Sequence, residues 1–102
     1  MTLDNYYVYG YVDPATHVIR YIGKGRRDRI GTHFQRAKRG NYRVENKKLD
    51  QWLKQLIEAK REPIMVKLAQ RLTEQEAFAL ERTLIAANKS LWLCNKKKGG
   101  TL

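Results

Sequence analysis

The chain has 102 residues, 42% apolar and 30% charged, with 21 Lys and Arg against 10 Asp and Glu, which leaves a net charge of +11 and an isoelectric point near 10.0. That length supports one modest core, and that charge is the footprint of a domain that meets a polyanion, of which nucleic acid is the commonest. Cys94 is the single cysteine, so an intrachain disulfide and a cysteine-based zinc site are excluded, and no apolar run approaches the length of a membrane span; with no leader-like N-terminus, a soluble cytoplasmic protein is expected.

Tyr6 to Val12 is aromatic and β-branched with one glycine, Asp13-Pro14 supplies turn chemistry, and Val18 to Ile22 resumes the pattern. This predicts a β-hairpin with a longer loop. With Val12 opposite Val18 across the loop Asp13 to His17, Tyr11 falls opposite Ile19 and Tyr9 opposite Tyr21. Alternation then places Tyr7, Tyr9, Tyr11, Ile19 and Tyr21 on one face, with Val8, Val12 and Ile22 on the other.

Gly23-Lys24-Gly25 lacks the spacing of a P-loop but suits a phosphate-binding turn. It leads into a helix expected over Arg26 to Lys38, where Ile30, Phe34 and Ala37 make an apolar stripe and Arg29 and His33 lie one turn apart along its edge. Arg39 to Arg43 reads as a basic loop. Leu49, Trp52, Leu53, Leu56 and Ile57 then match the i, i+3, i+4, i+7, i+8 template of an amphipathic helix over about Glu45 to Lys60. Pro63 ends that segment, and the alternation of Ile64, Val66 and Leu68 predicts a third strand to about Arg71. Thr73-Glu74-Gln75-Glu76 is a capping box opening a helix to about Asn88. The expected fold is a single α+β domain over residues 1–102, a small three-stranded antiparallel sheet packed with about three to four helices.

Glu81 lies inside the apolar face of the last helix, with Ala77 and Phe78 one turn before it and Leu84 and Ile85 one turn after. A carboxylate there is costly unless a cation, a metal or hydrogen bonds meet it. Two readings follow: half of a buried salt bridge, or a functional carboxylate. In the tail, Cys94 is expected to be a small buried hydrophobe, and Lys96-Lys97-Lys98 is either a solvated run or a phosphate contact.

Tyr7-Val8-Tyr9 followed by Tyr21-Ile22-Gly23 resembles the two signature tripeptides of the GIY-YIG endonucleases, with Tyr7 in place of the first glycine. Asp13-Pro14, the continuation Tyr21-Ile22-Gly23-Lys24-Gly25 and the pair Gly99-Gly100 are similar to the LEM-3/Ankle1-like branch of that family. The resemblance runs in order through Tyr9, Tyr21, Lys24, Arg29, His33, Glu81 and Asn95. It implies metal-dependent hydrolysis of DNA phosphodiester bonds, with Tyr9, Tyr21, Arg29, His33, Glu81 and Asn95 catalytic and a single Mg²⁺ or Mn²⁺ ion on Glu81.

The residue types suit that chemistry. One carboxylate suffices for Mg²⁺ at a phosphate site, where waters and phosphate oxygens complete the shell, and the planar fork of Arg29 fits a phosphate. Lys24, Arg29 and the metal are expected to lower a tyrosine pKa from about 10, which makes Tyr9, or else Tyr21, the general base. Lys24, Arg26, Arg27, Arg36, Lys96, Lys97 and Lys98 are the expected phosphate contacts. The expected partner is DNA, including branched or flapped forms and with RNA still open, read by shape and backbone more than by bases. The competing reading is a non-catalytic basic RNA- or DNA-binding protein of ribosomal or architectural type, which has no need of Glu81 in an apolar stripe.

Overall fold

β1 (Tyr6–Val12) is the middle strand of a three-stranded antiparallel sheet, with β2 (Ile19–Gly25) on one side and β3 (Ile64–Leu72) on the other. The computed structural model describes residues 5–40, 46–89 and 93–95. β1 takes the centre because both of its faces are apolar, and every residue from Tyr7 to Tyr11 is buried. Tyr7, Tyr9 and Tyr11 pack on one side with Phe34, Ala37, Leu49, Trp52, Leu53 and Leu56. Val8 packs on the other with Ile22, Ala77, Ile85 and Leu93. The phenol side is therefore roofed by α1 (Thr32–Lys38) and α2 (Lys47–Glu58), and the valine side by α3 (Glu74–Ala87).

Local chemistry sets the helix ends. The Asn46 side chain accepts the Leu49 N–H and so caps α2. The Thr73 hydroxyl accepts the Glu76 N–H while the Glu76 carboxylate accepts the Thr73 N–H, completing the expected capping box at α3. No helix among the described residues is long and apolar enough to cross a membrane.

Three expectations need correction, the first being that Gly23-Lys24-Gly25, expected as a turn, is the end of strand β2, paired with Tyr7 to Tyr9. The hairpin register is shifted: Tyr9 faces Gly23, Tyr11 faces Tyr21, and a bulge after Tyr11 leaves Val12 opposite Ile19. A shift of two residues preserves side-chain parity, so Tyr21 stays with the phenols, whereas Ile19 lies beyond the bulge and packs against the Val8 cluster instead. The extra residue, Arg20, is held by the Asp13 carboxylate at 3.8 Å and lies over the Trp52 ring. The helix expected from Arg26 is split into a 3₁₀ turn, Arg27–Gly31, followed by α1. Arg27 at φ 55° adopts a left-handed conformation that an α-helix does not continue from. Asn41, Tyr42 and Arg43 of the basic loop, Glu45, the lysines Lys96 to Lys98 and the pair Gly99-Gly100 lie outside the described residues.

Candidate active site

Four tyrosines and a histidine form an aromatic row across β1, β2 and α1. Ring centroids are 6.0 Å apart for Tyr7 and Tyr9, 5.7 Å for Tyr9 and Tyr11, 6.0 Å for Tyr11 and Tyr21, and 5.0 Å for Tyr21 and His33. Tyr9 and Tyr21, not directly opposite, remain diagonal neighbours at 6.3 Å. His33 thus stands beside Tyr21 as its place on α1 requires.

The hydroxyls of the row have different fates. Tyr7 donates to the Arg27 carbonyl at 2.7 Å and accepts the Ile30 N–H at 2.8 Å. Tyr11 donates to the Ile30 carbonyl at 2.6 Å and accepts the Phe34 N–H at 3.4 Å. These two phenols splint the 3₁₀ turn and the first turn of α1 against the sheet. Tyr9 makes no hydrogen bond to any described residue, and its hydroxyl lies over Gly23, where a Cβ would come within 2.7 Å of the phenol oxygen. Glycine at 23 is what lets that hydroxyl reach across β2.

Gly25 does the same for Arg29. A Cβ at residue 25 would lie 2.5 Å from the Arg29 Cβ, so the arginine rests directly on the β2 backbone, on the same sheet face as Tyr7. Its charge is felt at Tyr7, where it partly offsets a pKa raised chiefly by burial.

Glu81 is 4% exposed and lies between Ala77 and Ile85 on the inner face of α3, against the valine side of the sheet. Its charge also reaches Tyr9. Burial pushes the Tyr9 pKa well above its ordinary value, and the neighbouring Tyr21, Tyr11, Tyr7 and Glu81 push it further in the same direction. The expectation that Lys24 and Arg29 lower the Tyr9 pKa is therefore corrected: the protein alone keeps this phenol protonated.

The edge of β2 next to Gly23 is fixed by Asn95. Its carboxamide accepts the Ile22 N–H at 2.8 Å and donates to the Ile22 carbonyl at 2.7 Å, imitating a partner strand. The Cys94 N–H donates to the Arg20 carbonyl at 2.5 Å, and Asn46 donates to the Cys94 carbonyl at 3.0 Å, tying residues 93–95 to α2. Cys94 itself is buried at 1% exposure, as a small hydrophobe would be.

The remaining cations divide between faces. Lys24 is turned to the α3 side, 3.7 Å from Glu74 and over the Tyr6 ring, and Arg26 lies over the same ring. Arg27 and Arg36 line an open groove of about 740 Å³ beside α1, together with Arg39 and Gln35. The sequence alone does not assign the backbone-binding roles of the Tyr7 and Tyr11 hydroxyls, the seat that Gly25 gives Arg29, or the bond from Asn46 to Cys94. The spacing of tyrosines at every second residue of β1 was the available signal for the two hydroxyls, but their partners lie about 20 residues away in the chain.

No group of three or more His, Cys, Asp or Glu side chains capable of holding a metal occurs among the described residues. Glu81 is a single buried carboxylate within electrostatic range of a phenol. That donor set fits a hard cation completed by water and phosphate oxygens, and does not fit an all-protein cage.

A small antiparallel sheet with neighbouring phenols on one face, an arginine seated on its β2 edge and a helix-borne carboxylate buried on the other face is the arrangement the residues build. The chain belongs to the family of LEM-3-like GIY-YIG domains, whose profile matches residues 15–102. The matched region includes Tyr21, Arg29, His33, Glu81 and Asn95 and begins after β1, the strand that carries Tyr9. Membership implies nuclease activity on DNA, and these nucleases generally use a divalent metal. No match was found among curated proteins or among solved structures.

Proposed function

We propose that this domain is a divalent-metal-dependent endonuclease that hydrolyses DNA phosphodiester bonds, with Tyr9 as the proton-accepting group and Glu81 as the protein ligand of a single Mg²⁺ or Mn²⁺ ion. The observation that carries this reading is the Tyr9 hydroxyl: it alone among Tyr7, Tyr9 and Tyr11 is not committed to the backbone, and the charge of buried Glu81 is felt there across the sheet. Arg29, seated on Gly25, presents a planar fork for the scissile phosphate. Tyr9 accepts the proton of the attacking water, and His33 beside Tyr21 offers a second proton-holding group near the phosphate. Asn95 keeps the β2 edge straight at Ile22, which fixes Gly23 and therefore the floor under Tyr9. A divalent ion at Glu81 would supply the positive charge that favours the phenolate and stabilises the leaving oxygen.

Lys24 with Arg26 on one flank, and Arg27 with Arg36 on the other, suit contact with phosphates on either side of the cut. Such contacts position a nucleic acid without reading bases, so branched, flapped and linear DNA are the substrates to compare. Supercoiled plasmid incubated with Mg²⁺ should be nicked, and EDTA should stop it. Tyr9→Phe should lower the rate by about 10²- to 10⁴-fold, the usual worth of general base catalysis. Because the Tyr9 pKa is raised, the parent rate should climb with pH through the neutral range. A pH-independent rate, or full activity in Tyr9→Phe, would remove Tyr9 from the chemistry.

A further inference from the structure

We propose that Tyr7, at the position where the family signature carries glycine, is a positioning residue for the reaction, acting through Arg29. This rests on the reading that Arg29 binds the scissile phosphate.

The Tyr7 hydroxyl makes two hydrogen bonds, and they bracket Arg29. One goes to the carbonyl of Arg27, two residues before it, and the other comes from the N–H of Ile30, immediately after it. Arg27 is in the left-handed region, at φ 55°, a conformation that L side chains rarely adopt and that must be held by contacts. The Tyr7 bond to its carbonyl is one such contact. The turn is only five residues long, has no side-chain cap at Arg26 and contains no fully buried residue, so its apolar anchoring is limited to Ile30, which is partly buried against the phenol cluster.

Arg29 is exposed, yet its Cβ sits so close to β2 that Gly25, the residue paired with Tyr7, has no room for a side chain. The phenol and the glycine therefore form one device. Gly25 lets the arginine backbone come down onto the sheet, and the Tyr7 ring, 3% exposed and clamped between neighbours, carries a hydroxyl that sets the height and pitch of the turn. A glycine at residue 7 would leave the Ile30 N–H and the Arg27 carbonyl without this partner. Tyr11 makes the equivalent pair of bonds one turn later, to Ile30 and Phe34, and so brackets His33 from the other side.

The test is a double-mutant cycle on supercoiled plasmid with Mg²⁺, using Tyr7→Phe, Arg29→Ala and the double variant, assayed below the lowest of their melting temperatures. Tyr7→Phe keeps the ring and removes both hydrogen bonds. It should lower kcat by about ten- to a hundredfold, the scale on which small misplacements act, with KM within about twofold of the parent. In the Arg29→Ala background the same change should do almost nothing, whereas Tyr11→Phe should still lower the rate there. Replacing Tyr7 with 4-aminophenylalanine, which restores the donor to the Arg27 carbonyl but not the acceptor for the Ile30 N–H, should recover part of the parent rate and keeps the proposal testable if Tyr7→Phe does not fold. Multiplicative effects of Tyr7→Phe and Arg29→Ala would overturn the role assigned to Tyr7 while leaving the arginine in the site. An Arg29→Ala variant that cuts like the parent would overturn both this proposal and the phosphate-binding reading of Arg29.

Discussion

Tyr7, Tyr9 and Tyr11 are chemically identical side chains on one strand face, and the structure gives them separate work. Burial raises the pKa of all three, that of Tyr11 to about 12, although hydrogen bonds from the α1 backbone pull it partly back. A phenol whose pKa is higher folded than unfolded keeps its proton when the unfolded chain has lost it. Its stabilising contribution is complete below the unfolded pKa near 10 and is lost as pH rises towards the folded value. Denaturant melts of the parent should therefore lose stability between pH 10 and about 12, by up to about 1.4 kcal/mol per pH unit for each such phenol. Tyr11→Phe should be less stable than the parent at pH 8, because it strands the Ile30 carbonyl and the Phe34 N–H. It should also decline less steeply above pH 10. A variant with the parent's alkaline slope would show that Tyr11 titrates no differently when folded.

At the scale of elements, β2 is shaped by what it lacks. Gly23 and Gly25 stand opposite Tyr9 and Tyr7, and each vacated side-chain position is filled by another residue, the Tyr9 hydroxyl in one case and the Arg29 stem in the other. Gly23→Ala should displace the Tyr9 phenol and lower cleavage by about 10²-fold, the cost of a misplacement near 1 Å. Cleavage rates beside a thermal melt would check this, and a Gly23→Ala variant cutting at the parent rate would show that the phenol's place is unimportant. The strands, the α2 stripe and the capping box of α3 were legible because periodicity and capping are local. So was the odd position of Glu81, and its 4% exposure agrees with it. The hairpin register was not legible, because a bulge at Arg20 is set by contacts with Asp13 and Trp52, the latter more than 30 residues away. The 3₁₀ turn was missed for a similar reason: its apolar spacing is helical, but tyrosine hydroxyls from β1 dictate its backbone.

Over the whole molecule, +11 distributed on 102 residues makes electrostatics the dominant part of any encounter with DNA. The log of the binding constant should fall linearly with log salt, with a slope of about −0.9 for each phosphate neutralised on duplex DNA. Arg27→Gln with Arg36→Gln, both beside the groove along α1, should flatten that slope by about one to two units. An unchanged slope would place the DNA elsewhere on the surface. The core is two-sided: α1 and α2 press on the phenols from one side of the sheet, and α3 buries Glu81 on the other.

We propose that the buried Glu81 carboxylate serves chemistry and not only packing. It is tested most directly by Glu81→Gln, measured as plasmid nicking with Mg²⁺ beside a thermal melt. Gln keeps the shape and can form some of the same hydrogen bonds, but it cannot hold Mg²⁺ against water. Nicking should be abolished while the melting temperature stays close to the parent's. A variant that melts early, as the broken buried ion pair of the competing reading would at a cost of about 3–5 kcal/mol, yet cuts at the parent rate below its melting point would contradict it.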